Sequence, residues 1–347
     1  MSGAAELSAS ALLERLASGQ HLSEHDAGRL LEAMADGSLP PPLAGALLVA
    51  LRMKGECAAE IRGFARAMRR LARRPELPKG KRYVDVVGTG GDGSGSLNLS
   101  TGSALLAAAA GAAVVKHGNR SVSSRSGAAD VLAALGLPIP LDERHAAKCF
   151  EAHGFTFLFA PHYHPAMKNI APVRQALGVR TVFNILGPLC NPAAPPYFVM
   201  GAFSEPMAEL MAETLSGMEI ERAFVIHGSQ GWDEATPVGP FVCFDVRPGY
   251  VERQIRDPAD YGIETCAPEA LVGGDAAENA KRLKAALSGE DTAAHRDALA
   301  LGAALALEVT GEVRDAREGI ERARAAIEDG SAARLVECLA SFKVESA

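Results

Sequence analysis

The chain has 347 residues, a formal net charge of −7, 48% hydrophobic residues and only 5% aromatics. That length accommodates one large domain and a smaller one, built on an aliphatic core of Ala, Leu and Val. The acidic balance and the absence of a long basic run argue against nucleic acid as a partner. The most apolar run, Ser103 to Val115, is too short and too alanine-rich to span a bilayer, which argues against a membrane.

The first elements are helical. Apolar residues recur at helical spacing over Leu7 to Ala17, Ser23 to Asp36, Pro40 to Lys54 and Ala58 to Ala72. Residues 1–74 therefore read as a small all-helical domain. His25 reads as a helix-surface residue. The amphipathic, acid-bearing start is not a secretory signal. Arg73 to Lys81, with two prolines and a cluster of cations, reads as a linker. From Tyr83 onward strands and helices alternate, with strands expected at Val84 to Val87, Ala113 to Val115, Phe157 to Phe159, Tyr197 to Gly201 and Ala223 to His227. This pattern predicts an α/β domain over 80–347, a mostly parallel central sheet flanked by helices. Pro165 to Leu189 interrupts it with a helical, then loop-like segment. Asn279 to Leu287 and His295 to Leu339 are helical again, with Glu321, Arg324 and Glu328 on the solvent face. Six scattered cysteines, without metal-type spacing, suit reduced thiols in a cytoplasmic protein.

Two loops carry chemistry. The first follows the apolar run at Val84 to Val87. Between Gly88 and Gly102 it holds six glycines mixed with Thr89, Asp92, Ser94, Ser96, Asn98, Ser100 and Thr101, and an alanine-rich helix comes next. Glycines let backbone approach an oxyanion closely, and a helix start offers unpaired N–H groups to it, so this reads as a phosphate cradle. It lacks the GK[ST] of a Walker A loop and the usual placement of a dinucleotide GxGxxG. A glycine-rich surface turn is the plainer alternative. Asp92, an acid inside an anion-seeking loop, suggests contact with a ligand hydroxyl or a metal.

The second loop, Lys116 to Ser126, leaves the next strand with Lys116, Arg120, Arg125, His117 and four serines before another helix. It reads as a second anion site, facing the same ligand across a parallel sheet edge. The alternative is a solvated basic turn.

GTGGDG…NLSTGSA followed by VVKHGNRSVSSRSG resembles the anthranilate phosphoribosyltransferases of tryptophan biosynthesis. The resemblance runs on through Phe157 to Ala193, His227 to Pro237, DPADYGI and GGDAAENA. It also takes in LLVALRMKGECAAEIRGFARAMR near the N-terminus, so it spans essentially the whole chain. It implies the nucleoside phosphorylase/phosphoribosyltransferase type of fold, in which part of 165–195 joins the N-terminal helices. It implies transfer of a phosphoribosyl group from phosphoribosyl pyrophosphate to the amine of anthranilate, by electrostatics and positioning rather than by a nucleophile or strong base. It also implies a homodimer through the N-terminal helices, whose face at Leu43, Leu47, Leu48 and Leu51 exceeds what one small layer buries.

Matched residue by residue, the donor contacts fall on Gly88, Gly91, Asp92, Ser96, Asn98, Leu99, Ser100 and Thr101. They continue in the run Lys116, His117, Gly118, Asn119, Arg120, Ser121, Val122, Ser123 and Ser124. The anthranilate contacts fall on Gly88, Asn119 and Arg174, with His117, Pro161 and His164 lining the aromatic pocket. Asp233 and Glu234 suit magnesium, a hard cation that takes oxygen ligands, and Ser100 is the further metal contact. The resemblance implies Mg2+, two per monomer. Taken without the loops, the acid pair reads instead as an acidic helix start favoured by the helix dipole. Arg174 likewise has a plainer reading as a surface helix arginine.

Three departures from the family pattern stand out. Ala128 replaces a serine after Ser126-Gly127, Ser96-Leu97 stands where Thr-Phe is common, and Trp232 takes the place of a leucine. Two other functions compete: a nucleoside phosphorylase using free phosphate and a pyrimidine base, against which the Asp233–Glu234 pair speaks, and a non-enzymatic paralogue that binds nucleic acid or serves a structural role, against which the net charge of −7 and the intact loops speak.

Overall fold

The computed structural model describes residues 8–121 and 125–344. Val122, Ser123 and Ser124, three of the expected donor contacts, lie outside the described residues.

The N-terminal helices are α1 (Ala9–Ala17), α2 (Glu24–Ala35), α3 (Pro41–Lys54) and α4 (Ala58–Leu71). Each starts where the sequence supplies a stop. Ser8 and Ser23 accept the N–H groups of Ala11 and Asp26, and proline opens α3, where its missing N–H is harmless. The carboxylate of Glu60, buried among α1–α4, accepts from the amides of Leu22 and Cys57 and pairs with Lys54 at 2.9 Å. Residues 72–82 carry no helix or strand.

Next come β1 (Tyr83–Gly88), α5 (Leu99–Ala109), β2 (Ala113–Gly118), α6 (Ala128–Ala134), α7 (Glu143–His153) and β3 (Phe155–Phe159). The expected interruption follows as α8 (Ala160–Tyr163), α9 (Met167–Leu177) and α10 (Phe183–Leu186). The chain returns to the sheet as β4 (Tyr197–Gly201), α11 (Glu205–Ser216), β5 (Arg222–His227), β6 (Phe241–Arg247) and β7 (Tyr250–Arg256). It ends in α12 (Ala276–Leu287), α13 (Ala293–Val309), α14 (Ala316–Glu328) and α15 (Ser331–Ser341).

The sheet order is β3-β2-β1-β4-β5-β6-β7. The first five strands in that order run parallel; β6 and β7 are antiparallel additions at one edge. The sequence reading missed both. Their signal was the Pro248-Gly249 turn between two β-branched and aromatic runs, with Gly249 at φ 69°.

The parallel strands are apolar throughout because both sheet faces are covered. Val84, Val86, Val199 and Phe224 face the alanine-rich α5 and α13. Phe198, Met200 and Val225 face α11 and α4, so one face of the sheet shares its core with the N-terminal helices. The chain leaves β1 toward β2 and β3, then crosses back to β4 on the other side of β1. The β1/β4 boundary is thus the switch point of the sheet, where a crevice opens beyond the strand ends.

Candidate functional site

A glycine stands at the end of three strands at that crevice: Gly88 is the last residue of β1, Gly201 the last of β4, and Gly228 follows β5 directly. Gly88 and Gly201 are register partners. The segment carrying the acid pair is folded against all three. A Cβ on Gly88 would come 2.4 Å from Asp233 Oδ2, one on Gly201 1.5 Å from the Asp233 carbonyl, and one on Gly228 1.9 Å from the Glu234 carbonyl. The glycines are there because the acid segment fills the space side chains would take. The recurrence of an apolar run closing in glycine was visible in the sequence, but only the sheet order shows that these strands are neighbours.

The acids cap the glycine loop from below. Asp233 Oδ2 accepts from the Gly90 amide at 2.6 Å, and Glu234 Oε1 from the Ser100 amide at 2.8 Å. Asp92 joins them, receiving the Asp233 amide at 3.4 Å on one oxygen and the Ser94 amide at 3.2 Å on the other. No helix follows Asp233 and Glu234, so the reading of an acidic start to a following helix does not hold. Burial, then the neighbouring Asp92, pushes the Asp233 carboxyl up to about 7. Burial and Asp233 likewise raise Glu234 well above the ordinary carboxylate range, although part of the residue reaches the surface. Crowded, enclosed carboxylates of this kind are a donor set for a hard cation.

The α5 N-terminus differs from expectation. The amides of Leu99, Ser100, Thr101 and Gly102 are directed at Leu97, Glu234, Asn98 and Asn98 respectively. The helix start is closed by protein acceptors rather than left open for phosphate. The free donors lie one step earlier: the amides of Gly91, Asp92, Gly93 and Gly95 have no acceptor among the described residues. Gly90, Gly91, Gly93 and Gly95 all take positive φ, which frees those amides from regular pairing. The Ser96 hydroxyl pairs with Ser94, and the Thr101 hydroxyl is buried without a partner.

The two loops meet through Asn98. Its Nδ2 donates to the Ser126 carbonyl at 3.1 Å and its Oδ1 accepts from Asn279 at 2.9 Å. The cations of the second loop are less available than the sequence suggested. Lys116 is buried and donates to the Val86 carbonyl, with Asp85, Glu234 and Asp233 as its nearby charges. Arg120 pairs with Asp130 at 2.9 Å. The same Asp130 accepts the amides of Ser121 and Gly127, which shapes the loop just before α6. Arg125 is exposed. Asn119 is also exposed; its side-chain oxygen takes the Arg120 amide. Gly118 ends β2 against Ala128 of α6.

His117 and His164 come together as expected. Their Nε2 atoms are 3.2 Å apart and their rings cross at 72°. One must donate and the other accept, so at least one is neutral. Burial holds His117 well below its usual value and pushes His164 down to about 4. Beneath them lies a network the sequence reading missed. Asp85, fully buried in β1, accepts from the His117 amide at 3.3 Å and from Asn191 Nδ2 at 2.8 Å. Asn191 also bonds the Val115 carbonyl at 2.8 Å. The signal was an acid inside an otherwise apolar strand, YVDVVG.

Arg174 makes no hydrogen bond or ion pair with the other candidates. It sits on α9 with its guanidinium 5.3 Å from the centre of the Phe183 ring, and partial burial lowers its pKa. Pro161 is exposed at the start of α8. Elsewhere among the described residues, His21, Cys57 and Glu60 bring three donor atoms within 4.8 Å of one another. The Lys54 ammonium already bonds His21 and Glu60 at 2.6 and 2.9 Å, so that cluster is an ion pair within the helices. Asp92, Asp233 and Glu234 gather at the glycine loop, and magnesium, which keeps waters and takes phosphate oxygens, needs only one or two carboxylates from the protein.

Comparison with known proteins agrees with this geometry. The family description "Glycosyl transferase family, a/b domain" matches residues 80–333, and "Glycosyl transferase family, helical bundle domain" matches residues 10–72. The anthranilate phosphoribosyltransferase of Rubrobacter xylanophilus is 46% identical over 325 residues, covering 94% of each chain. The crystal structure of the Thermus thermophilus anthranilate phosphoribosyltransferase superposes with a TM-score of 0.88 at 41% identity, over 95% of this chain and 98% of that one. The Saccharomyces cerevisiae enzyme, solved with phosphoribosyl pyrophosphate and Mg, gives 0.86 at 27% identity, over 97% and 98%. Near-complete coverage at this identity, on a sheet whose switch point carries the glycine loop and the acid pair, places the chain in the anthranilate phosphoribosyltransferase family.

Proposed function

We propose that the chain performs its family's reaction. The phosphoribosyl group of phosphoribosyl pyrophosphate passes to the amine of anthranilate, giving N-(5-phosphoribosyl)anthranilate and pyrophosphate, the second step of tryptophan biosynthesis from chorismate. The observation that carries this reading is the acid pair packed under a loop of free amides at the β1/β4 switch point. That loop presents donors to an anion, and the acids present oxygens to the cation accompanying it.

Asp233, Glu234 and Ser100 are the residues that would hold Mg2+, with Asp92 beside them; we assign two ions per monomer. A cation held by these oxygens would supply positive charge against the charge that grows on the departing diphosphate. The chain does the rest by placement. The amides of Gly91, Asp92, Gly93 and Gly95, with the second loop, orient the donor. Neutral His117 and His164 form an uncharged wall for the aromatic ring. Arg174 is unpaired among the described residues and supplies a planar cation for the anthranilate carboxylate.

We divide the chain into a helical domain at 1–74, joined by part of 165–195, and an α/β domain at 80–347. We also propose a homodimer through the helical domain. The reason differs from the sequence expectation, because Leu47, Leu48 and Leu51 are fully buried within their own chain. What remains is an apolar groove of about 870 Å³ between α3 and α9, lined by Pro42, Val49, Val173 and Leu177 among others. Met53 stands 82% exposed at the end of α3. A second copy covering the groove would give twice the chain mass by light scattering at low micromolar concentration; a fully active monomer would refute it. No helix among the described residues is long and apolar enough to cross a membrane, and none of the six cysteines is in a disulfide. We place the reaction in the cytoplasm.

One assay tests the activity: protein, magnesium, phosphoribosyl pyrophosphate and anthranilate, followed by loss of anthranilate fluorescence. Loss that requires all components is expected. No loss, or turnover of a pyrimidine nucleoside with free phosphate instead, would refute the reading.

A further inference from the structure

One cation at the glycine loop is left unexplained by this account. Arg180 lies in the turn between α9 and α10. Its carbonyl accepts from Arg52 Nη1, on α3, at 3.0 Å. Its guanidinium lies 5.7 Å from the centre of the Phe203 ring, just past β4. Its Nη2 donates to the Gly91 carbonyl at 3.5 Å. Gly91 has φ 78°, and a Cβ there would sit 3.1 Å from the same Nη2. One side chain therefore touches the exit of β4 and the loop after β1, while its backbone is tied to α3.

The charge on Arg180 is not neutralised. Among the described residues it forms no ion pair, whereas Arg120, in the second loop, is paired with Asp130. A guanidinium has five donors in a rigid fork. Its bond to Gly91 is at the long limit, so it is the Phe203 face and the backbone tie to Arg52 that aim the fork at the loop. Next to it are the acceptor-free amides of Gly91, Asp92 and Gly93. Surplus donors gathered round one turn of backbone call for an acceptor-rich anion.

We propose that Arg180 is a positioning residue. Its guanidinium plane packed against the Gly91 turn holds the glycine loop in the shape that receives the diphosphate of the donor. This rests on the function proposed above, with the diphosphate as the chemical group recognised. Arg180 is exposed, so its replacement leaves the core untouched.

The test compares wild type with Arg180→Ala and Arg180→Lys. Hydrogen exchange of the two bonded loop amides, Gly90 and Ser94, is measured by NMR without ligand, and inorganic pyrophosphate with magnesium is titrated by calorimetry. In Arg180→Ala the Gly90 and Ser94 amides exchange faster while other segments do not change. Pyrophosphate affinity falls about tenfold, because the unheld loop amides lose their alignment on the anion. The KM for phosphoribosyl pyrophosphate rises with it and that for anthranilate stays. Arg180→Lys, a cation without the stacking plane, recovers part of the affinity. Unchanged loop exchange, or unchanged pyrophosphate affinity, overturns the proposal. So does a fall in melting temperature with equal damage to both KM values, the mark of a strut for the whole fold. A wild type that binds no pyrophosphate would refute the function itself, and loop exchange would then still decide whether Arg180 holds the loop.

Discussion

The Ser100 amide, in the first turn of α5, donates to Glu234 Oε1 at 2.8 Å. A carboxylate therefore sits at the positive end of a helix that follows it nowhere in sequence; the two meet only through the sheet. The contact closes the helix start to phosphate and fixes Glu234 beside the glycine loop. In the function proposed here, the loop amides take the anion and the acid is one wall of the cation site.

That wall depends on missing side chains. Gly201→Ala would drive a Cβ to 1.5 Å from the Asp233 carbonyl, which is backbone and cannot step aside cheaply. Overpacking of this kind costs about 1–3 kcal/mol or more. Denaturant unfolding should show that loss. The emission of Trp232, the chain's sole tryptophan and next to Asp233, should no longer respond to magnesium. A variant with wild-type stability and response would mean that the acid segment is free to move.

Arg174→Ala should raise the KM for anthranilate far more than that for phosphoribosyl pyrophosphate. Removing a charged partner costs about 1.5–3 kcal/mol, roughly ten- to a hundredfold in affinity. Steady-state kinetics with each substrate varied will show it. Equal effects on both substrates would make the guanidinium a packing group for Phe183.

Much of this was legible in the sequence because it is local. The four N-terminal helices and five of the strands follow from apolar periodicity and from caps such as Ser23 and Pro41. The two loops follow from residue types that have few other uses together. What failed to show was non-local. β6 and β7 were missed because their alternation is interrupted by buried charge: Asp245 in β6 pairs with Arg222 of β5 at 2.6 Å. Asp85 and Asn191, 106 positions apart, meet only across the folded sheet. In the second loop the pairing of Arg120 with Asp130 and the burial of Lys116 were likewise not announced by the sequence.

Ala128→Ser should tighten phosphoribosyl pyrophosphate binding slightly or leave it unchanged. Ala128 is the first residue of α6, half-buried against the end of β2. A new hydroxyl there can donate to a phosphate; a gain near 1 kcal/mol would be roughly fivefold. Titration of donor with magnesium in both variants measures it. A clear loss of affinity would mean that position 128 does not face the phosphoribosyl site.

His164 should make stability depend on pH. Burial depresses its pKa to about 4, so the fold favours the neutral ring. The stability it contributes is complete above the unfolded value near 6.5 and is lost as pH falls toward 4. Between pH 7 and 5 that loss is about 2 kcal/mol. Asp85, raised by burial to about 6, works in the opposite sense, costing stability as pH rises from about 4 to 6. His117, also held neutral by burial, loses stability on acidification in the same direction as His164, and comparison with His164→Asn isolates the His164 share. Urea unfolding at both pH values should show the variant losing about 2 kcal/mol less than wild type on acidification. An identical loss in both would mean that His164 does not titrate in this way.

Asp233 and Glu234 are proposed to hold the magnesium that accompanies the donor diphosphate. The most direct measurement is the rate of anthranilate fluorescence loss against magnesium concentration, at fixed phosphoribosyl pyrophosphate, for wild type and for Asp233→Asn with Glu234→Gln. Wild type should show a saturable magnesium requirement, and the double variant should lose most turnover together with the magnesium response. A double variant with wild-type rate and metal dependence would contradict the account.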